Sequence, residues 1–264
     1  MRSNTVKHAL RSGQAQIGTW LSMASPIAAR FMARSGFHWL TLEMEHSSAD
    51  WETAAAVFGG VADAGCIPLV RVPSITIENA KRALDLGAYG IVFPMCNTVE
   101  EAELAVAACK YAPAGRRSVG GCLHTLNFNC TAAEYYARAN EEILVIIQAE
   151  HVDAIENCEK ILAVPGIDVV FVGPNDLLSS MNKTPQMESN DPEFVRALER
   201  IRTTAVANGV SPGLHVAEPA AAQRRLAEGW KFIAVSSELG MMNEAARNIV
   251  HSVIGKPAAE SARY

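Results

Sequence analysis

No stretch of the 264-residue chain approaches the roughly 18 apolar residues that a membrane-spanning helix needs. The opening MRSNTVKHALRSGQAQ has no apolar run behind its positive charges, so it does not read as a secretory signal. The six cysteines (Cys66, Cys96, Cys109, Cys122, Cys130, Cys158) form no C-x-x-C pair and no metal-finger spacing, which points to reduced thiols and a cytoplasmic setting. The 23 basic and 28 acidic residues are spread along the chain, with no basic run to track a phosphate backbone, so nucleic acid is not an expected partner and neither is a membrane. There is no G-x-S-x-G, no Walker A and no G-x-G-x-x-G, which argues against a serine hydrolase, a P-loop enzyme and a nucleotide cofactor. Schiff-base chemistry also lacks its residue, because no lysine ends a predicted core strand and Lys231 lies at a strand start.

What the chain does have is a repeating pattern. Eight short apolar runs, near 17–22, 38–43, 67–72, 90–94, 143–148, 168–172, 210–215 and 232–236, alternate with Ala/Leu/Glu-rich stretches of helical spacing. Strands buried on both faces and joined by helices are the requirement of a parallel sheet. Glycines at 36, 65, 87, 209 and 229 close helices just before the next run, where a left-handed C′ residue is wanted. With 49% hydrophobic residues and this length, the expectation is one α/β domain over 1–264, a (β/α)8 TIM barrel in preference to a doubly wound sheet. The polar stretch 111–142 is predicted to be an inserted active-site loop after strand 4, with a helix around 131–140, placed to cover the barrel mouth.

In such barrels the catalytic groups stand where strands end. Those positions hold Glu43-Met44-Glu45-His46, Arg71, Gln148 and Glu150, and Gly173-Pro174-Asn175-Asp176, while the seventh run contains His215. Glu150 and Asp176 close neighbouring strands. Two carboxylates at one rim repel unless a hard cation lies between them, so Mg²⁺ or Mn²⁺ is expected there, polarising a 2-oxo acid; the other reading makes each carboxylate a helix cap. Arg71 suits a substrate carboxylate or an enolate oxygen, or else an ion pair with Glu43 or Glu45. His46 is the acid/base candidate, with Asp85 as a group that could orient it; a hydrogen-bonded loop histidine is the alternative. The segment G-P-N-D offers helix N-terminal amides to a small anion.

Taken in order, EMEH (43–46), LVRVP (69–73), LDLG (84–87), VFPM (92–95), YAPAGRRSVG (111–120), IIQAE (146–150) and VFVGPNDL (170–177) resemble the HpcH/HpaI family, the class II (metal-dependent) pyruvate aldolases of 4-hydroxy-2-oxoheptanedioate aldolase type. The resemblance implies metal binding by Glu150 and Asp176, with Mg²⁺, Mn²⁺ or Co²⁺. It also implies substrate contact by Gln148, Arg71 and the backbone of Pro174 and Asn175, and a His46–Asp85 dyad for proton transfer. The implied reaction is reversible aldol cleavage of a 4-hydroxy-2-oxo acid to pyruvate and an aldehyde. The related alternative is decarboxylation of an oxaloacetate-type acid through the same enolate, as in macrophomate synthase; a non-catalytic 2-oxo-acid binding protein is the reading from another class. A homo-oligomer, a hexamer or trimer of dimers, is implied too, with the C-terminal helix near 239–254 exchanged between subunits. Where the family has Asp-Gly-Glu-His, this chain has Glu43 and Met44 in the first two places. The extra methylene at 43 and the bulk at 44 are expected to alter the water network and the aldehyde pocket, and LHTLNFNC (123–130), with His124 and Asn127, differs from the better-known aldolases.

Overall fold

The computed structural model describes residues 1–255. Eight parallel strands close on themselves in chain order: β1 (Gln16–Leu21), β2 (Trp39–Glu43), β3 (Ile67–Arg71), β4 (Gly90–Phe93), β5 (Leu144–Gln148), β6 (Val169–Val172), β7 (Ser211–Val216) and β8 (Phe232–Ser237). Each agrees with its expected run within one residue at either end. β1 pairs with both β2 and β8, so the sheet has no edge.

The interior is filled by large rings set against glycines. Trp39 stacks on Phe232 with centroids 4.1 Å apart. Between them on β1 lies Gly18, where a Cβ would come within 2.1 Å of the Trp39 ring. Phe171 meets both Phe232 and Trp20 edge-on, at 6.0 and 5.7 Å, and carries the packing up to the mouth. The five helix-ending glycines all have positive φ. At Gly87 a side chain is excluded twice over, by a φ of 96° and by Asn127, which a Cβ would approach to 2.1 Å.

The lower, N-terminal end of the barrel is closed by an element the sequence pattern did not announce, the helix Thr5–Arg11. Its Lys7 donates to the carbonyl oxygen of Ile143 at 2.5 Å and pairs with Asp168 at 2.8 Å. Burial holds the Lys7 amine down at about 8, against the pull of Asp168.

The insertion is present, with the expected helix at Ala132–Glu142 and a short unexpected one at Leu123–Asn127, but it is not at the mouth. The helix Val99–Cys109 carries the chain from the top of β4 back down, and 110–143 is spent before β5 starts at the bottom. There the Asn127 side chain donates to the carbonyl oxygen of Gly87 (3.0 Å), and the amides of Arg2 and Asn4 donate to the carbonyl oxygen of Phe128 and the Glu142 carboxylate. The expectation of a mouth cover is therefore corrected: the segment sits on the opposite face, along with His124 and Asn127.

Candidate active site at the C-terminal end of the barrel

The ends of β2, β3, β5 and β6 and the loops beyond them gather Glu43, His46, Arg71, Gln148, Asn175 and Asp176 around one cavity of about 190 Å³. Gly173 and Pro174 form its floor beside them.

Glu43 organises one wall. It is buried, and its Oε1 accepts the amides of Glu45 (2.7 Å) and His46 (3.0 Å), while Oε2 accepts from Nε of Arg71 at 2.6 Å. Arg71 also lies 3.3 Å from Glu45 and packs its guanidinium 4.8 Å above the Trp20 ring. Burial works against the Arg71 charge, but Glu43 and Glu45 outweigh it and hold the cation firmly protonated. Arg71 is thus ion-paired on one side, as one reading of it had, and open to the cavity on the other. Burial pushes the Glu45 carboxyl upward, against Arg71 and His46. The His46 ring is half-exposed, with Nε2 3.6 Å from Glu45.

The other two carboxylates follow β5 and β6, and of them Asp176 lines the cavity. Glu150 is buried; its Oε1 accepts the Met95 amide (2.8 Å) and its Oε2 accepts from Gln148 Nε2 (2.5 Å). Met95 reaches this place with a φ of 51°, a left-handed backbone that aims its N–H at the carboxylate. Burial raises the Glu150 carboxyl to about 7; the Met95 N–H and Arg71 oppose the rise, and the charges of Asp176 and Glu45 add to it. The helix-cap reading does not hold for Glu150, because the next helix, Val152–Glu156, is capped by His151. Asp176 is in the first turn of Pro174–Ser180, a helix that begins at Gly173 with no side-chain cap bond, and its carboxylate stands exposed at the cavity.

These residues fit a divalent cation. A buried carboxylate lifted to about 7 by burial and by the charge of a second carboxylate, Asp176, is stabilised by positive charge. Beside it, the Gln148 Oε1 is buried with no hydrogen-bond partner, an oxygen of the kind hard cations take. The close approach is protected by Gly173, where a Cβ would come within 2.6 Å of Glu150 Oε2 and 3.0 Å of Gln148 Nε2. Among the described residues no three His, Cys, Asp or Glu side chains gather as a cage.

Met44 is buried in the core and does not line the cavity wall. One expectation needs correction: Asp85 does not meet His46 within the chain. It ends the helix Ile77–Asp85, which runs from the top of β3 to the bottom of β4, and its carboxylate accepts from Arg117 at 2.8 Å on the lower face. That guanidinium is fully enclosed between Tyr111 (4.5 Å) and Tyr135 (5.4 Å), whose hydroxyl accepts its other arm at 2.9 Å. Residues that strand-end reasoning passed over also line the cavity: Trp20, Phe171, Met187, Ser236 and Leu239. Trp20 and Phe171 point inward from strand tops, and strand alternation carried that signal.

The family model for HpcH/HpaI aldolase/citrate lyase matches residues 16–259. A hydroxypyruvate/pyruvate aldolase of Cupriavidus necator is 36% identical over 256 residues, covering 97% of this chain and 94% of that one. A 5-keto-4-deoxy-D-glucarate aldolase of Escherichia coli K12 is 35% identical over 246 residues, 93% of this chain and 95% of its own length. Among solved structures, an HpcH/HpaI aldolase/citrate lyase family protein of Burkholderia cenocepacia superposes with a TM-score of 0.89 at 32% identity, over 95% of this chain and 99% of that one.

Proposed function

The chain belongs to the HpcH/HpaI aldolase/citrate lyase family, and from that premise we propose that it cleaves a small 4-hydroxy-2-oxo acid reversibly to pyruvate, or a close 2-oxo acid, and an aldehyde, with a divalent metal ion. The observation that carries this is the buried Glu150 carboxylate, raised by burial and by the charge of Asp176 and bonded to Gln148, which with Asp176 and Arg71 lines the cavity. A space of about 190 Å³ suits a small acid rather than a drug-sized ligand.

Glu150 and Asp176, with Gln148 Oε1 in reach, would hold Mg²⁺, Mn²⁺ or Co²⁺, and when bound that ion supplies Lewis-acid polarisation of the 2-oxo group. The first-turn amides after Pro174, at Asn175 and Asp176, face the substrate carboxylate with the positive end of their helix. Arg71, held protonated by Glu43 and Glu45, stabilises the enolate oxygen. On cleavage, the bond between C3 and C4 breaks, the C4 hydroxyl proton leaves to a base, and the electron pair comes to rest on the enolate. His46, exposed at the mouth with its amide fixed by Glu43, is placed to pass that proton. Trp20, Phe171 and Leu239 keep water from the carbanion side.

The active unit in this reading is a cytoplasmic homo-oligomer, a hexamer or trimer of dimers. In the helix Glu238–Ile254 only Glu238 is buried, and Ile249, Val253 and Ile254 are each more than half exposed. Such a face suits exchange onto a neighbouring subunit. With Asp85 and His46 at opposite ends of one barrel, a His46–Asp85 dyad is formed between subunits.

The test is deuterium exchange into the methyl group of pyruvate, with and without Mg²⁺ or Mn²⁺, for the parent and Glu150→Ala. Metal-dependent exchange, lost in the variant, is expected; no exchange with any metal would leave a decarboxylase of stricter substrate or a non-catalytic binding protein. Carbon dioxide in place of aldehyde as co-product from a 4-carboxylated acid would mark the decarboxylase.

A further inference from the structure

One wall of the cavity carries polar groups that this chemistry leaves unused. It is formed where β1, β7 and β8 end, and it is irregular: between Gly18↔Ala234 and Trp20↔Ser237 the register shifts, so β8 carries an extra residue in a bulge. Ser236 makes the bulge with a φ of 53°, a conformation costly for a residue with a side chain. The strained carbonyl it presents is held twice. Thr19 Oγ1 donates to the carbonyl oxygens of Val235 (2.8 Å) and Ser236 (3.2 Å), and Nε2 of His215 lies 3.0 Å from that of Ser236.

A carbonyl oxygen only accepts, so the proton of His215 is on Nε2 and Nδ1 carries a lone pair. Burial, reinforced by the Arg71 charge, drives the imidazole down to about 4, so the ring stays neutral and Nδ1 stays an acceptor at physiological pH. Nδ1 meets no hydrogen-bond partner among the described residues, nor is it among their enclosed polar atoms, and His215 lines the cavity. The ring stands 5.9 Å from Trp20, over which the Arg71 guanidinium also packs. If pinning the bulge were the whole purpose of His215, Thr19 would already provide a donor there.

We infer that His215 is a specificity-determining residue that offers Nδ1 as a fixed acceptor to a hydroxyl group of the substrate, selecting hydroxylated over deoxy substrates. The inference rests on the aldolase reading above and deepens it. The hydroxyl has two possible sources: the 2-oxo acid that becomes the nucleophile, or the aldehyde.

Two comparisons distinguish them, each made with the parent, His215→Leu and His215→Asn: hydroxypyruvate against pyruvate with one aldehyde, and glycolaldehyde against acetaldehyde with pyruvate. The parent favours the hydroxylated member of one pair. In His215→Leu that kcat/KM ratio falls about 10-fold, and His215→Asn, which keeps both a donor and an acceptor, recovers part of it. The pair in which the ratio falls names the source. Ratios unchanged in both pairs, or equal losses for both members, would reduce His215 to a support for the bulge and overturn the inference. Should the Leu variant not fold, ¹⁵N NMR of the metal-loaded parent decides: the His215 Nδ1 resonance shifts on adding the hydroxylated compound of a pair and not its deoxy partner, and identical shifts with both overturn it. That titration reads binding, so it stands apart from methyl exchange, whose absence in the parent would fail the aldolase reading instead.

Discussion

Glu43 grips Arg71 with one carboxylate oxygen and the turn leading to His46 with the other. A single group thus sets both the cation and the turn that carries His46.

Replacing it by Gln keeps the size and removes the charge. Arg71 is then left with Glu45 at 3.3 Å, and one charge-assisted bond is lost. Glu43→Gln is expected to lower stability by about 1.5–3 kcal/mol and kcat/KM at least about 10-fold, with kcat carrying the larger part. Thermal melting and steady-state kinetics check it; a variant with parental kcat would show that Arg71 needs no such anchor.

The separation of Asp85 from His46 predicts complementation. His46→Ala and Asp85→Ala should each lose activity by roughly 10²-fold or more. Mixed and allowed to exchange subunits, the two inactive preparations should recover about a quarter of the parental rate, because random assembly reunites an intact His46 with an intact Asp85 at that frequency. A mixture as inactive as its components would remove Asp85 from the chemistry and leave it as the partner of Arg117.

His215 predicts an acid limb in stability. Its folded value of about 4 lies below the ordinary 6.5, so between those two pH values the unfolded chain binds a proton that the folded chain refuses. Stability contributed by the neutral ring is therefore full above about pH 6.5 and is lost as pH falls toward 4, by up to roughly 3 kcal/mol. Denaturant midpoints measured from pH 7 to pH 4 should fall less steeply in His215→Leu than in the parent.

Much of this was legible in the sequence, and for a physical reason. Strands buried on both faces leave uninterrupted apolar runs, so all eight were readable, and a polar residue at the end of such a run has nowhere to point but the rim. That is why Arg71, Gln148, Glu150 and Asp176 were visible. The face occupied by 111–142 was also implied, since a helix after β4 must return the chain to the bottom, but composition suggested a lid and the direction of travel was the better guide. The bulge at Ser236 left no signal, because a serine stands where a left-handed turn would ordinarily advertise itself with glycine. Helix Thr5–Arg11 is too short for periodicity to reveal.

The bond from Thr19 to Val235 spans 216 residues of chain, and it belongs to the seam where the first strand meets the last. A ribosome releases β1 long before β8 exists. Until then Trp39, enclosed in the finished barrel, stands without Phe232 to cover it, and Trp20 stands uncovered until Phe171 follows in β6. The growing chain thus carries an exposed aromatic edge, the kind of surface that chaperones hold, and it is relieved of it only when β8 emerges.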